Sequence, residues 1–410
     1  MAPGYRVDPA PSSAGRRRLL GLIAGSVVLL AACGGSRPPG REEDAELQRF
    51  TGRGYEPSAM SFAEPYRDVW LRGGEEIGVS LLVPRGAAPS PLVIYLPGMS
   101  EPAEAGERWR RAWAQAGYAV ASLQTGGGGS RGPSAAGRGA DFSRMAREQF
   151  DAKTLADRIA CVDFVLKEIA RRAAAAQGVF AGIDTRRVAV AGFDLGAQTA
   201  LALAGEKYPG MGAFAALPDL RAVIVLSPHA RISGGFADRY AGIRLPVLSV
   251  TGSEDADPYG LVDSPHTRQA PYNYMPPGGK FLLVLEDGAH RQLAGAKGAM
   301  GDEQDMPGLR REGGMPGGSG EEGGPQAGRG RMGGRGGSMG GTRGGGPPGD
   351  PSGMGGSRRA GGGSQRQAVI VERVSLAFLD AFVKEDPVAG EWLARDAGRW
   401  MDSLARLEAK

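Results

Sequence analysis

The chain has 410 residues, 41% hydrophobic and 23% charged, which suits a globular protein built as one large domain or two small ones. Its 69 glycines are more than twice the usual share of about 7%, and without a Gly-X-Y period they exclude collagen and imply a local glycine-rich segment. Three histidines and two cysteines exclude a disulfide framework and leave little for a zinc site, while the net charge of +4 falls to +1 without the first 32 residues, which argues against nucleic acid as a partner.

Arg16, Arg17 and Arg18 precede an apolar run from Leu19 to Ala32. That run is shorter than the ~20 residues needed to span a bilayer, but it has the length of a signal-peptide core. It ends Leu30-Ala31-Ala32-Cys33, which resembles a bacterial lipobox, with small residues before a cysteine that would carry the lipid. Residues 1–32 are therefore expected to be a signal peptide. Cys33 is the expected lipidation site, and the mature chain is expected in the bacterial cell envelope, anchored to membrane.

Residues 33–65 carry Gly, Pro, Arg and Glu without periodicity and read as a flexible tether. Tyr66–Leu71 and Ile77–Val83 read as strands around Gly73-Gly74, and Leu92–Leu96 as a buried strand ending at Pro97-Gly98. Helix-like sequence covers Glu104–Ala116, then an apolar run covers Tyr118–Leu123. Gly126–Gly139 reads as a loop and Ala146–Ala175 as one long helix with Cys161 on its apolar face. Val188–Ala191, Val223–Leu226, Val247–Val250 and Phe281–Leu285 read as buried strands, with a helix starting at Ala197. Strands apolar on both faces and alternating with helices predict an α/β protein with a mostly parallel sheet, helices on both sides and no large cap domain. The body is expected over residues 66–300. Residues 301–366 are Gly, Arg and Met-rich with almost no aliphatics and read as a disordered insertion. Residues 367–410 are expected to complete the body as helices, Ala368–Val383 and then Trp392–Leu407.

The segment Val188-Ala189-Val190-Ala191-Gly192-Phe193-Asp194-Leu195-Gly196-Ala197 is the informative one. A strand meets Gly-x-Asp-x-Gly and turns at once into a helix. Glycines on both sides permit a sharp turn that projects the middle residue, and the helix start offers N–H groups to an anion. With Leu96-Pro97-Gly98-Met99, Val223–Pro228, Val250–Asp255, Pro276–Lys280 and Asp287-Gly288-Ala289-His290, the chain resembles the bacterial α/β hydrolases grouped with dienelactone hydrolases and platelet-activating-factor acetylhydrolase-like esterases. The likeness covers about 66–295 and 368 onward. It implies an α/β-hydrolase fold with Asp194 at the nucleophile position, His290 as base and Asp255 as the acid orienting it. Asp257 and Glu254 are neighbouring alternatives for the acid, and His229, a poorer candidate for the base, ends a strand where it could line the pocket. His266 is the weaker histidine. Met99 and Leu195 are the implied oxyanion-hole donors, and no metal or cofactor is implied.

Two departures separate the chain from that family: Asp194 stands where the family has serine, and Pro97-Gly98 stands where it has His-Gly. A carboxylate attacking an ester would give a reactive anhydride rather than a hydrolysable acyl-enzyme. An Asp194 facing His290 is expected to pair with the imidazolium and remove its basicity. The leading expectation is thus a lipid-anchored relative of carboxylic-ester hydrolases with a degenerate Asp-His-Asp site. The alternatives are an active ester hydrolase, an Asp-nucleophile enzyme of dehalogenase or epoxide-hydrolase type, and a non-catalytic protein binding acyl ligands. In each case the expected partner is a small ester or acyl molecule.

Overall fold

The computed structural model describes residues 39–57, 60–86, 88–124, 139–208, 211, 214, 217–230, 235–296 and 355–410. Residues 1–48 and 49–410 form two compact units, and the described part of the first is the start of a helix. The strands are β1 (Ala63–Arg72), β2 (Glu75–Pro84), β3 (Ser90–Leu96), β4 (Ala119–Gln124), β5 (Ile183–Phe193), β6 (Leu220–Leu226), β7 (Val247–Glu254), β8 (Lys280–Ala289) and β9 (Ala405–Ala409). They form one sheet in the order β1-β2-β4-β3-β5-β6-β7-β8-β9. The pairings from β4 through β8 are parallel, and those of β1, β2 and β9 are antiparallel.

The α-helices are α1 (Pro39–Thr51), α2 (Glu107–Gln115), α3 (Gly139–Gln149), α4 (Ala152–Ala174), α5 (Leu195–Ala204), α6 (Phe236–Tyr240), α7 (Ala270–Tyr274), α8 (His290–Leu293), α9 (Gly355–Val383), α10 (Pro387–Arg395) and α11 (Ala397–Met401). Side-chain alternation along the strands shows why both faces are covered. On β3, Leu92, Ile94 and Leu96 share a core with Leu155, Val162 and Ile169 of α4 and Leu201 of α5. Tyr95, between them in sequence, turns the other way and packs on Trp113 of α2, ring centroids 6.2 Å apart. Trp113 Nε1 donates to Ser375 Oγ of α9 at 2.9 Å, which ties those two helices together. Each fully buried Leu or Val contributes roughly 1.5–3 kcal/mol. The expected mixed α/β architecture with a large, mostly parallel sheet is what the chain forms.

Several boundaries differ from expectation. The expected tether carries α1, and β1 starts at Ala63; Phe50 and Tyr55 are buried, Tyr55 donating its hydroxyl to Asp380 at 2.7 Å. The single long helix at 146–175 is two, broken at Phe150-Asp151, where Asp151 caps α4 by accepting from Lys153 N–H. The expected insertion overlaps α9: residues 355–366 are helical despite three consecutive glycines, ahead of a densely buried continuation. The C-terminus is not all helix. After α11 the chain turns and adds β9, whose Leu407 lies opposite Leu283 of β8. The expected signal peptide, Cys33 and residues 301–354 lie outside the described residues, as does most of the Gly126–Gly139 loop. No described helix is long and apolar enough to cross a membrane.

Candidate functional site

Because β3, β5, β6, β7 and β8 run parallel side by side, the residues that follow them emerge along one edge of the sheet. Glu101, Asp194, Ser227, Asp255 and His290 all follow or end these strands.

Asp194 is the corner between β5 and α5, at φ 51° and ψ −106°, a region that ordinary residues avoid. The sequence makes the corner possible through its two glycines. A Cβ on Gly192 would sit 2.2 Å from Gly196 O, and one on Gly196 would sit 1.9 Å from Leu96 O. The corner is pinned by Asp194 N–H donating to Leu226 O at 3.0 Å. The Asp194 side chain is 1% exposed. Its carboxylate lies close to the Leu195 N–H and the Tyr259 hydroxyl, while Oδ2 has no hydrogen-bond partner among the described residues. Burial pushes its pKa up, opposed by the nearby His290 and Arg268 and reinforced by the charge of Asp257. The same contact and burial lift the Tyr259 hydroxyl out of its ordinary range.

The other half of the site is the turn after β8. A Cβ on Gly252 would lie 1.9 Å from Gly288 O, so the missing side chain lets the β7 and β8 ends come together. Asp255 and His290 thereby meet, Oδ1 to Nδ1 at 2.8 Å. Ala289 N–H donates to Gln292 Oε1 at 3.1 Å, which fixes the start of α8 and hence the imidazole. Ser227 Oγ donates to Asp255 Oδ1 at 2.8 Å and lies 2.8 Å from His290 Nδ1. An ionised carboxylate only accepts, so Nδ1 carries a proton toward Asp255. Asp255 is fully buried, and its pKa is nonetheless low: burial raises it, but the His290 bond, Arg268 and Thr251 together outweigh that.

The expected residues are thus placed as follows. His290 and Asp255 are brought together, and the Phe193 ring lies 5.0 Å from the imidazole, beside the Asp194 corner. The expected direct Asp194–imidazolium pair is replaced by another arrangement: the Nδ1 partners are Asp255 and Ser227, and Asp194 senses the ring electrostatically. Asp257 serves its own turn, accepting from Tyr259, Leu261 and Val262 N–H groups. The Glu254 side is exposed, and so is His266, whereas His229 is buried and stacks on Phe150 at 4.1 Å. Met99 and Leu195 lie together in an apolar cluster with Ala146, Phe150 and Leu261. The Leu195 N–H, an implied oxyanion donor, follows directly on the buried Asp194 carboxyl.

Three residues escaped the sequence reading. Arg268 is completely buried and donates to Asp255 O, Ser227 O and Pro228 O at 2.9, 3.2 and 3.1 Å; its Nε lies 3.2 Å from Asp255 Oδ1. Glu101 accepts the Gly98 N–H at 2.8 Å, and burial pushes its carboxyl up to about 7, against that bond and with help from the charge of Asp194. Tyr259 closes over Asp194 from the loop after β7. None of the three lies in a periodic pattern. The one available signal was a polar residue following a strand of the parallel set, which holds for Glu101 only. Among the described residues no group of three or more His, Cys, Asp or Glu could hold a metal ion. No family model matches the chain, and no curated protein matches it.

Proposed function

We propose that this chain is an α/β-hydrolase-fold relative of carboxylic-ester hydrolases whose elbow has lost ester hydrolysis and keeps a pocket for a small ester or acyl ligand. The reading includes export and a lipid anchor at Cys33, on the sequence grounds given above. It is supported by the sheet order, by the strained corner after β5, and by an oriented imidazole after β8 with its carboxylate after β7. One observation carries the loss of function. The elbow position carries a buried carboxyl, one oxygen of which has no partner among the described residues, so the corner presents no alcohol for His290 to deprotonate. A nucleophile that is 1% exposed, engaged by Tyr259 and pushed toward protonation by burial is also a poor one. His290 Nε2 remains a base without a hydroxyl to activate.

Hydrolysis of p-nitrophenyl acetate and butyrate by wild type, Asp194→Ser and Asp194→Ser/His290→Ala tests this reading. Wild type is expected to be inactive, and the serine variant is expected to gain at least ~100-fold over it, lost again without His290. Wild-type hydrolysis abolished equally by Asp194→Ala and His290→Ala would overturn the proposal in favour of catalysis by Asp194.

A further inference from the structure

A cleft of about 700 Å³ lies well apart in sequence from the elbow, between residues 50–54 and the segment running from α10 to β9. That volume suits a small organic ligand. One wall is aromatic. Phe50 stacks on Trp400 with centroids 4.7 Å apart and planes at 21°, and Trp392 tilts against Trp400 at 5.7 Å. Trp400 is fixed in place by its Nε1 donating to Phe50 O at 2.9 Å. The wall is therefore preformed rather than assembled on binding, which lowers the ordering cost a ligand must meet.

The remaining lining is charged and unbalanced. Arg53, Arg366 and Arg399 face two carboxylates, Asp396 and Asp402. Arg366 lies over the Phe50 ring at 6.0 Å, while Arg53 and Arg399 are exposed at the mouth. Planar guanidinium forks beside an aromatic wall match a flat apolar body carrying a carboxylate or phosphate.

We propose that this cleft is a binding site for a flat-ringed organic anion, with Trp400 and Trp392 packing the ring and Arg53 and Arg399 engaging the anionic group. None of its lining residues belongs to the elbow, so the proposal stands apart from the hydrolase reading.

Isothermal titration of the full chain with naphthyl phosphate, neutral naphthol and naphthylmethylammonium provides the test. Naphthyl phosphate is expected to bind one site with Kd below about 1 mM, and both other probes at least ~10-fold more weakly. Arg53→Glu and Arg399→Glu, exposed changes whose folding is checked by circular dichroism, are each expected to weaken it ~10-fold. Asp194→Ser is expected to leave it unchanged. Absence of binding near ~1 mM, equal binding of the neutral or cationic probe, or affinity that survives both charge reversals would overturn the proposal.

Discussion

Strands β5 and β6 end side by side on residues of positive φ, Asp194 at 51° and Ser227 at 54°, yet their side chains meet different surroundings. Ser227 is fully buried and fully used: its hydroxyl bridges Asp255 and His290, and its carbonyl accepts from Arg268. Asp194 is as deeply buried but keeps an oxygen without a partner among the described residues and a pKa lifted by burial. The serine that touches the histidine is thus on the Nδ1 side, where the carboxylate already fixes the proton. The corner after β5, whose Phe193 ring lies 5.0 Å from the imidazole, carries an acid instead. A polar network made complete at one corner stiffens the imidazole, while the incomplete one next to it concentrates the cost of burial on a single carboxyl.

The sharpest way to break this comparison is Arg268→Leu. The guanidinium is the buried cation beside Asp255, with Asp257 3.8 Å away, and it supplies donors to both carbonyls of the β6 corner. Its removal leaves buried negative charge uncompensated, and a loss of about 3–5 kcal/mol is expected in urea denaturation. A loss below about 1 kcal/mol would mean that the β6 corner does not depend on this network. Arg158 is the natural control, being buried against the neutral Thr199 Oγ1, Gln149 O and Gln198 Oε1. Its replacement by Leu is expected to cost less, about 1–3 kcal/mol.

Next in size is Glu101→Gln, which probes the incomplete corner. Burial pushes the Glu101 carboxyl from 4.5 to about 7, and the charge of Asp194 adds to it. A raised carboxyl pKa disfavours the ionised form in the folded chain. The Glu101 contribution to stability is therefore highest below about pH 4.5, falls as pH rises to about 7, and stays at the lower level above it. Glutamine can still accept from Gly98 N–H but does not ionise. The variant is expected to be more stable than wild type by roughly 1–3 kcal/mol at pH 8 and equal to it near pH 4. Equal urea midpoints at pH 8 would show that Glu101 is not held against its charge.

The elbow was readable because its requirement is steric and local: Gly192 and Gly196 mark positions where a Cβ meets backbone. The meeting of His290 and Asp255 was expected from the resemblance, and the strand order supplies its physical reason, since parallel neighbours deliver their C-terminal ends to one edge. Arg268 could not, because a surface-type residue in a short turn gives no periodic sign of being buried. β9 was misread because Ala-Arg-Leu-Glu-Ala suits a helix, and pairing with β8 overrides that propensity. The break at Asp151 was legible in principle, as an N-cap residue inside a helical pattern, but the apolar period on either side masks it.

The smallest expected effect sharpens the comparison from the completed side. Ser227→Ala removes one hydrogen bond to a buried carboxylate, while Asp255 keeps His290, Thr251 and Arg268. The cost is expected to be about 1–2 kcal/mol in urea denaturation. If the imidazole is oriented by Asp255 and the α8 turn, then in the Asp194→Ser background the same change should lower esterase activity by less than ~10-fold. A loss as large as that of His290→Ala would instead make the Ser227 hydroxyl the element that aims the ring. The two corners would then be one catalytic unit, with the serine of β6 governing the histidine that serves the residue after β5.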